Sequence, residues 1–139
     1  MQLTLSIIKP DAVKRNLTGE INAMIEKIGV KIVGQRMIKL SLEDAQRFYE
    51  VHKERAFYQD LCNYMISGPI VVQVLEGKDV VSKYRELMGA TNPANADDNT
   101  IRKNYGLSVE ENSVHGSDSE ENAEIEVDFF FSKREIFGT

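Results

Sequence analysis

Ser67-Gly68-Pro69-Ile70-Val71-Val72-Gln73-Val74-Leu75-Glu76-Gly77 holds the clearest strand in the chain. Pro69 and Gly77 bound it, and between them the run from Ile70 to Leu75 is almost unbroken in apolar, mostly β-branched residues. Such a run reads as a strand buried on both faces rather than one with a solvated side. The rest of the chain must therefore supply a sheet around this strand and helices to cover it.

On the N-terminal side, Leu3, Leu5 and Ile7 alternate with Gln2, Thr4 and Ser6, which predicts a strand over residues 2–8. Pro10 suits the first turn of a helix. Ile21, Met24, Ile25 and Ile28 fall at helical spacing, so residues 19–29 are expected to be an amphipathic helix stopped at Gly29. Residues 30–40 return to a strand, with Gly34 as a candidate bulge. Ser41-Leu42-Glu43-Asp44 resembles a capping box, and Leu42, Ala45, Phe48 and Tyr49 give the following helix an apolar face. Leu61, Tyr64 and Met65 mark a further short helix. On the C-terminal side, Val80, Val81, Tyr84, Leu87 and Met88 mark another. Residues 89–118 read as a long polar loop, after which a short helix and a last strand are expected, the strand from Ile125, Val127, Phe129 and Phe131 alternating with Glu126 and Asp128. Four strands interleaved with helices fit a ferredoxin-like βαββαβ fold of the α+β class: one four-stranded antiparallel sheet covered by helices, in a single domain over residues 1–139.

Composition narrows the function. With 17 basic and 22 acidic residues the net charge is −5, which gives no general field for a nucleic-acid backbone, so nucleic acid is not the main partner expected. Cys62 is the only cysteine, which excludes an internal disulfide, fits a reduced cytoplasmic setting and reads as a core residue. Two separated histidines, His52 and His115, and no CxxC spacing argue against structural zinc, and His52 reads as a solvated surface residue. No apolar run approaches the roughly 20 residues of a membrane helix. Met1-Gln2-Leu3-Thr4 carries no basic leader, so no secretory signal is expected.

The polar loop concentrates the chemistry. It holds Asn112-Ser113-Val114-His115-Gly116-Ser117-Asp118-Ser119. A neutral imidazole is a competent nucleophile near neutral pH. Gly116 removes bulk beside it; Ser117, Asp118 and Ser119 are all good N-cap residues, and Ser117 and Glu120 have capping-box spacing, for a helix whose amino end would favour an anion. The same residues read equally well as a turn and helix cap with His115 merely solvated. Neither GxxxxGK[ST] nor GxGxxG occurs, so bound phosphates would have to be held by side chains such as Lys9, Arg85 and Arg102.

The octapeptide resembles the active-site signature of the nucleoside diphosphate kinases. Ile8-Lys9-Pro10-Asp11, Tyr64-Met65-Ile66-Ser67-Gly68-Pro69, Thr91-Asn92-Pro93 and Thr100-Ile101-Arg102 are similar to other segments of that family, in the same order and across essentially the whole chain. The resemblance implies an enzyme that transfers the γ-phosphate of a nucleoside triphosphate, mainly ATP, to a nucleoside diphosphate by ping-pong kinetics. It implies His115 as the nucleophile, with Glu126 fixing its tautomer and Ser117 contacting Glu126. It places Lys9, Arg85, Thr91 and Arg102 on the phosphates, Asn112 on the ribose, Phe57 on the base and Tyr49 near His115 and Lys9. Asp118 would reach Mg²⁺ through water. A homo-oligomer, tetramer or hexamer, is implied. The chain departs from the usual pattern at Asp98-Asn99, where the family has Pro-Gly, at Lys103-Asn104, and at Ala56, where it has Pro.

Overall fold

The computed structural model describes residues 1–139. Its sheet has four strands: β1 (Gln2–Ile8), β2 (Lys31–Ile38), β3 (Ile70–Gly77) and β4 (Val114–Gly116). They are arranged β2-β3-β1-β4, and every neighbouring pair is antiparallel. The helices are α1 (Pro10–Lys14), α2 (Thr18–Lys27), α3 (Leu42–Phe48), α4 (Tyr58–Met65), α5 (Val80–Met88), α6 (Ile101–Tyr105) and α7 (Glu120–Phe130). This is the expected ferredoxin-like α+β architecture.

The two central strands explain the sequence that decided the fold. From Ile70 to Glu76 every residue of β3 is buried. Alternate residues serve different cores, as the period of two requires. Ile70, Val72 and Val74 join Leu5 and Ile7 beneath α3, α4 and α7, where Ala45, Cys62, Met65, Val127 and Phe130 complete one cluster. Val71 and Leu75 join Ile8 on the other face, with Ile21 and Ile25 of α2 and Val80, Tyr84 and Met88 of α5. Cys62 is thus a core residue, as its type suggested. The β2–β3 register slips between Ile32 and Gly34, which places the bulge where Gly34 predicted it. Ser41 caps α3 by accepting from Asp44 N–H at 3.0 Å.

Two expectations fail together. Residues 125–131 are not the fourth strand, because Glu120–Phe130 is a helix. Its amino end is capped by Ser119, one of the three candidate caps, whose Oγ accepts from Asn122 N–H at 3.1 Å; the capping-box spacing of Ser117 and Glu120 is not used. Ala123, Val127 and Phe130 bury one helical stripe, while Ile125 stays 64% exposed. Aromatic residues at 129–131 and a chance alternation of charge imitated a strand there. The edge strand is instead the three-residue β4, drawn from inside the supposed loop. That loop also contains α6 and a short 3₁₀ turn at Pro93–Asn95.

Candidate active site

β4 is too short and polar to announce itself, yet its pairing with β1 sets the site. His115 lies opposite Ile7, Val114 opposite Ile8 and Gly116 opposite Ser6. The ladder continues at both ends: Lys9 N–H donates to the Ser113 carbonyl at 2.9 Å and Ser117 N–H to the Leu5 carbonyl at 3.3 Å. Lys9, two residues beyond Ile7, therefore emerges beside Asn112 and His115.

His115 is half-buried, and its Nε2 lies 2.8 Å from Glu126 Oε1. A carboxylate in that position makes Nε2 the protonated nitrogen and leaves the lone pair on Nδ1. Ser117 Oγ donates to the same Glu126 oxygen at 2.8 Å, so the acceptor is itself held. What α7 brings to the histidine is this second-turn carboxylate. The edge of the imidazole packs against Phe48, with ring centroids 5.6 Å apart at 72°. Gly116 permits the strand to sit tight against α5, since a Cβ there would meet Met88 Sδ at 2.6 Å and the Tyr84 ring at 2.8 Å.

Cations gather around this ring. Lys9 is buried, and its Nζ donates to Asn112 Oδ1 at 2.8 Å. Burial lowers its pKa to about 8, the neighbouring Arg102 adds to that shift, and Asp11 opposes it. Arg102 is also buried and donates to the carbonyls of Gly89 at 3.0 Å and Val114 at 2.9 Å. Burial pulls its pKa down, and Arg85 pushes in the same direction. Arg102 is thus close enough to repel both Lys9 and the exposed Arg85, an arrangement that anions relieve. Asn112 Nδ2 donates to the Thr91 carbonyl at 3.0 Å and so ties the Thr91 segment to the histidine strand.

The remaining predicted residues are placed as follows. Tyr49 is buried with no hydrogen-bond partner on its hydroxyl, and burial together with Glu126 pushes its pKa above the ordinary tyrosine value. Phe57 is 48% exposed just before α4. Its ring meets that of His52, a partly exposed surface residue, at a centroid distance of 5.5 Å. Asp118 is exposed and accepts from Asn122 Nδ2 at 2.5 Å. Phe48 and Tyr84 were legible only as core residues. Nothing in their spacing singled them out as packing against the histidine or its glycine. A cavity of about 720 Å³ lies along β2 between residues such as Asn22, Arg36 and Phe131 and contains none of the histidine cluster.

The chain matches the family described as nucleoside diphosphate kinase over residues 2–136. The chain belongs to the nucleoside diphosphate kinase family. It is accordingly a phosphotransferase, a kinase of nucleotide metabolism. Among relatives, the nucleoside diphosphate kinase of Phenylobacterium zucineum is 62% identical over 135 residues, covering 97% of each chain. That of Methylobacterium nodulans is 60% identical over 138 residues, covering 99% of each. The crystal structure of the Aquifex aeolicus nucleoside diphosphate kinase superposes with a TM-score of 0.95 at 40% identity, covering 97% of this chain and 98% of that one. The departure at Asp98-Asn99 has a structural account. Asn99 has φ +67°, a left-handed conformation that asparagine tolerates better than most residues where the family usually has glycine. The next residue, Thr100, then caps α6 through Lys103 N–H at 3.2 Å.

Proposed function

We propose that this chain transfers the γ-phosphate of a nucleoside triphosphate, mainly ATP, to a nucleoside diphosphate through a phosphate carried on His115 Nδ1. One observation carries the residue assignment. The histidine ring is oriented by a carboxylate on Nε2, and the residues flanking it on its strand, Asn112 and Val114, hold two buried cations, Lys9 and Arg102, that have no carboxylate opposite them in an ion pair. The Nδ1 lone pair attacks the γ-phosphorus and the P–O bond to the β-phosphate breaks. Its electrons leave with the nucleoside diphosphate. A second nucleoside diphosphate then attacks the phosphorus, and the P–N electrons return to His115. Two half-reactions on one site give ping-pong kinetics.

The protein's task is positioning and charge neutralisation. Glu126, held by Ser117, keeps Nδ1 aimed and accommodates the charge on the ring. Lys9, Arg85 and Arg102 neutralise the phosphates, with Thr91 beside them and Tyr49 supplying an unpaired hydroxyl. Asn112 addresses the ribose. Phe57 stacks on the base with no edge donors, which fits exchange among all nucleoside and deoxynucleoside triphosphate pools. No group of three or more His, Cys, Asp or Glu side chains is placed to hold a metal ion. Mg²⁺ would arrive on the nucleotide and supply charge neutralisation at the phosphates, and the exposed Asp118 is the residue that would reach it through water. The functional unit is read as one domain over residues 1–139. It is read as a cytoplasmic homo-oligomer, tetramer or hexamer; no helix is long and apolar enough to cross a membrane.

The test is incubation with γ-labelled ATP, comparing the native chain with His115→Ala. The native protein acquires acid-labile, alkali-stable label that GDP removes as GTP, and the variant acquires none. Nucleotide binding without label on the native protein would overturn the phosphohistidine reading in favour of a nucleotide sensor.

A further inference from the structure

A second polar cluster lies against the histidine strand and has no part in the phosphate chemistry above. At its centre is Asp11, whose side chain is only 1% exposed. The carboxylate accepts from the Tyr64 hydroxyl, from Arg15 Nη2 at 3.0 Å, and twice from one residue: Ser113 N–H at 3.3 Å and Ser113 Oγ at 3.2 Å. Arg15 Nη2 also reaches the Tyr105 carbonyl at 2.6 Å, so the carboxylate is anchored from a separate segment of chain.

Ser113 needs such a hold. Its φ is +73°, and Val114 N–H donates to the Asn112 carbonyl at 2.9 Å across it, which closes a three-residue turn. Turns of this kind with positive φ are rare and strained for any residue but glycine. Left to itself the segment would relax. Here every polar group of Ser113 is occupied, with N–H and Oγ on Asp11 and the carbonyl on Lys9 N–H at 2.9 Å. The flanking residues are those of the site. Asn112, one residue before, holds Lys9 Nζ at 2.8 Å, and His115, two residues after, sits 2.8 Å from Glu126. A change of φ at Ser113 swings Asn112 relative to β4 and loosens both contacts.

We propose that Asp11 is a positioning residue for phosphoryl transfer: its carboxylate holds Ser113 in the left-handed turn that sets Asn112 on Lys9 and His115 on Glu126. This rests on the reading of His115 as nucleophile. Asp11 touches no reacting atom and acts through the turn alone.

The test measures the rate of His115 labelling by γ-labelled ATP, by rapid quench at pH 7, for Asp11→Asn and for Asp11→Asn combined with Ser113→Gly. An amide in place of the carboxylate cannot accept all of the bonds Asp11 accepts. Asp11→Asn is expected to slow labelling at saturating ATP by about tenfold or more, with a smaller change in the ATP concentration giving half the maximal rate. Glycine adopts positive φ at no steric cost, so the double variant is expected to recover most of that loss. Native-like labelling by Asp11→Asn, or a double variant no faster than Asp11→Asn, would overturn the proposal, the latter because Asp11 would then serve only general stability. Should Asp11→Asn fail to fold by circular dichroism, Ser113→Gly and Ser113→Ala decide. Faster labelling by the glycine variant supports the turn, and equal or slower labelling overturns it. Absence of label on the native chain would fell the histidine reading itself, a result distinct from any contrast among the variants.

Discussion

Lys9 makes the sharpest prediction because it is both buried and charged. Its pKa falls from 10.5 to about 8, with burial as the main cause and Arg102 next. At 1.36 kcal/mol per unit, holding that ammonium in place costs the empty protein about 3 kcal/mol at neutral pH. The sign follows from linkage. Between pH 8 and 10.5 the unfolded chain binds the proton and the folded one does not, so this penalty is complete below pH 8 and disappears as the pH rises to 10.5. Bound phosphates reverse the balance by favouring the charged form. ADP binding should therefore draw about half a proton onto the protein at pH 8, and affinity should fall as pH rises above it, by roughly fifteenfold between pH 8 and 9.5. Isothermal calorimetry in two buffers of different ionisation enthalpy measures both quantities. Lys9→Met should bind ADP weakly with no such proton uptake. The same variant should also raise the unfolding free energy of the empty protein at pH 7. The gain is about 1–2 kcal/mol once the orphaned Asn112 oxygen is subtracted, and it shrinks towards pH 10. An ADP affinity that stays within twofold from pH 7 to 9.5, without buffer-dependent heat, would refute the reasoning.

Three further outcomes follow from the same geometry. Glu126→Gln should lower kcat by about tenfold or more while leaving KM for nucleotides nearly unchanged, because it disturbs the aim of the ring and not the phosphate cations; steady-state kinetics with an unaltered kcat would mean that the tautomer is fixed by another group. Gly116→Ala places a methyl against Met88 and Tyr84 and should destabilise the fold by about 2–3 kcal/mol, read as a lowered midpoint in urea unfolding. Tyr49→Phe removes a buried hydroxyl with no partner, so stability should hold or rise by up to about 1 kcal/mol while ADP affinity falls; reduced stability with unchanged affinity would show that the hydroxyl serves the fold.

The fold and the site were legible to different depths, for physical reasons. The central strand β3 is buried on both faces, so burial alone writes it as an apolar run, and it is read with nearly its observed limits, while β1 is read from its alternation. β4 carries no such mark. It is three residues long, on the sheet edge, and only Val114 of its Val-His-Gly is a strand-forming apolar residue. α7 was misread as a strand because the residues from Ile125 to Phe131 alternate, whereas the buried stripe of Ala123, Val127 and Phe130 is spread over three turns. The individual site residues were nameable because a chain can advertise a nucleophile, a cap and a cation by type. Their mutual support was not. Phe48 against the imidazole, Tyr84 beneath Gly116 and Asp11 on Ser113 join residues far apart in sequence, and no local pattern encodes such pairings.

Several of the places where this chain breaks the ordinary rules of a stable interior collect at one site, although Thr4 Oγ1 and Asn22 Oδ1 are also buried without a partner and Asn16, Asp79 and Asn99 also have positive φ. A buried lysine whose charge is disfavoured, a buried arginine with an unpaired Nε, a tyrosine hydroxyl without a partner and a serine in the left-handed region all lie on residues within the histidine site or directly bonded to it. The two apolar clusters on either face of the sheet hold few comparable faults. Local conflicts of this kind persist only where surrounding structure over-determines them. Here the rigid ladder between β1 and β3 supplies that constraint and β4, grafted on the far edge, spends it. On the proposed function, the site is an anion-binding surface held ready at the expense of the empty protein. Substitutions that relieve its strain should make the fold more stable and the enzyme slower, whereas substitutions in the apolar clusters should lower stability and leave the rate per folded molecule unchanged.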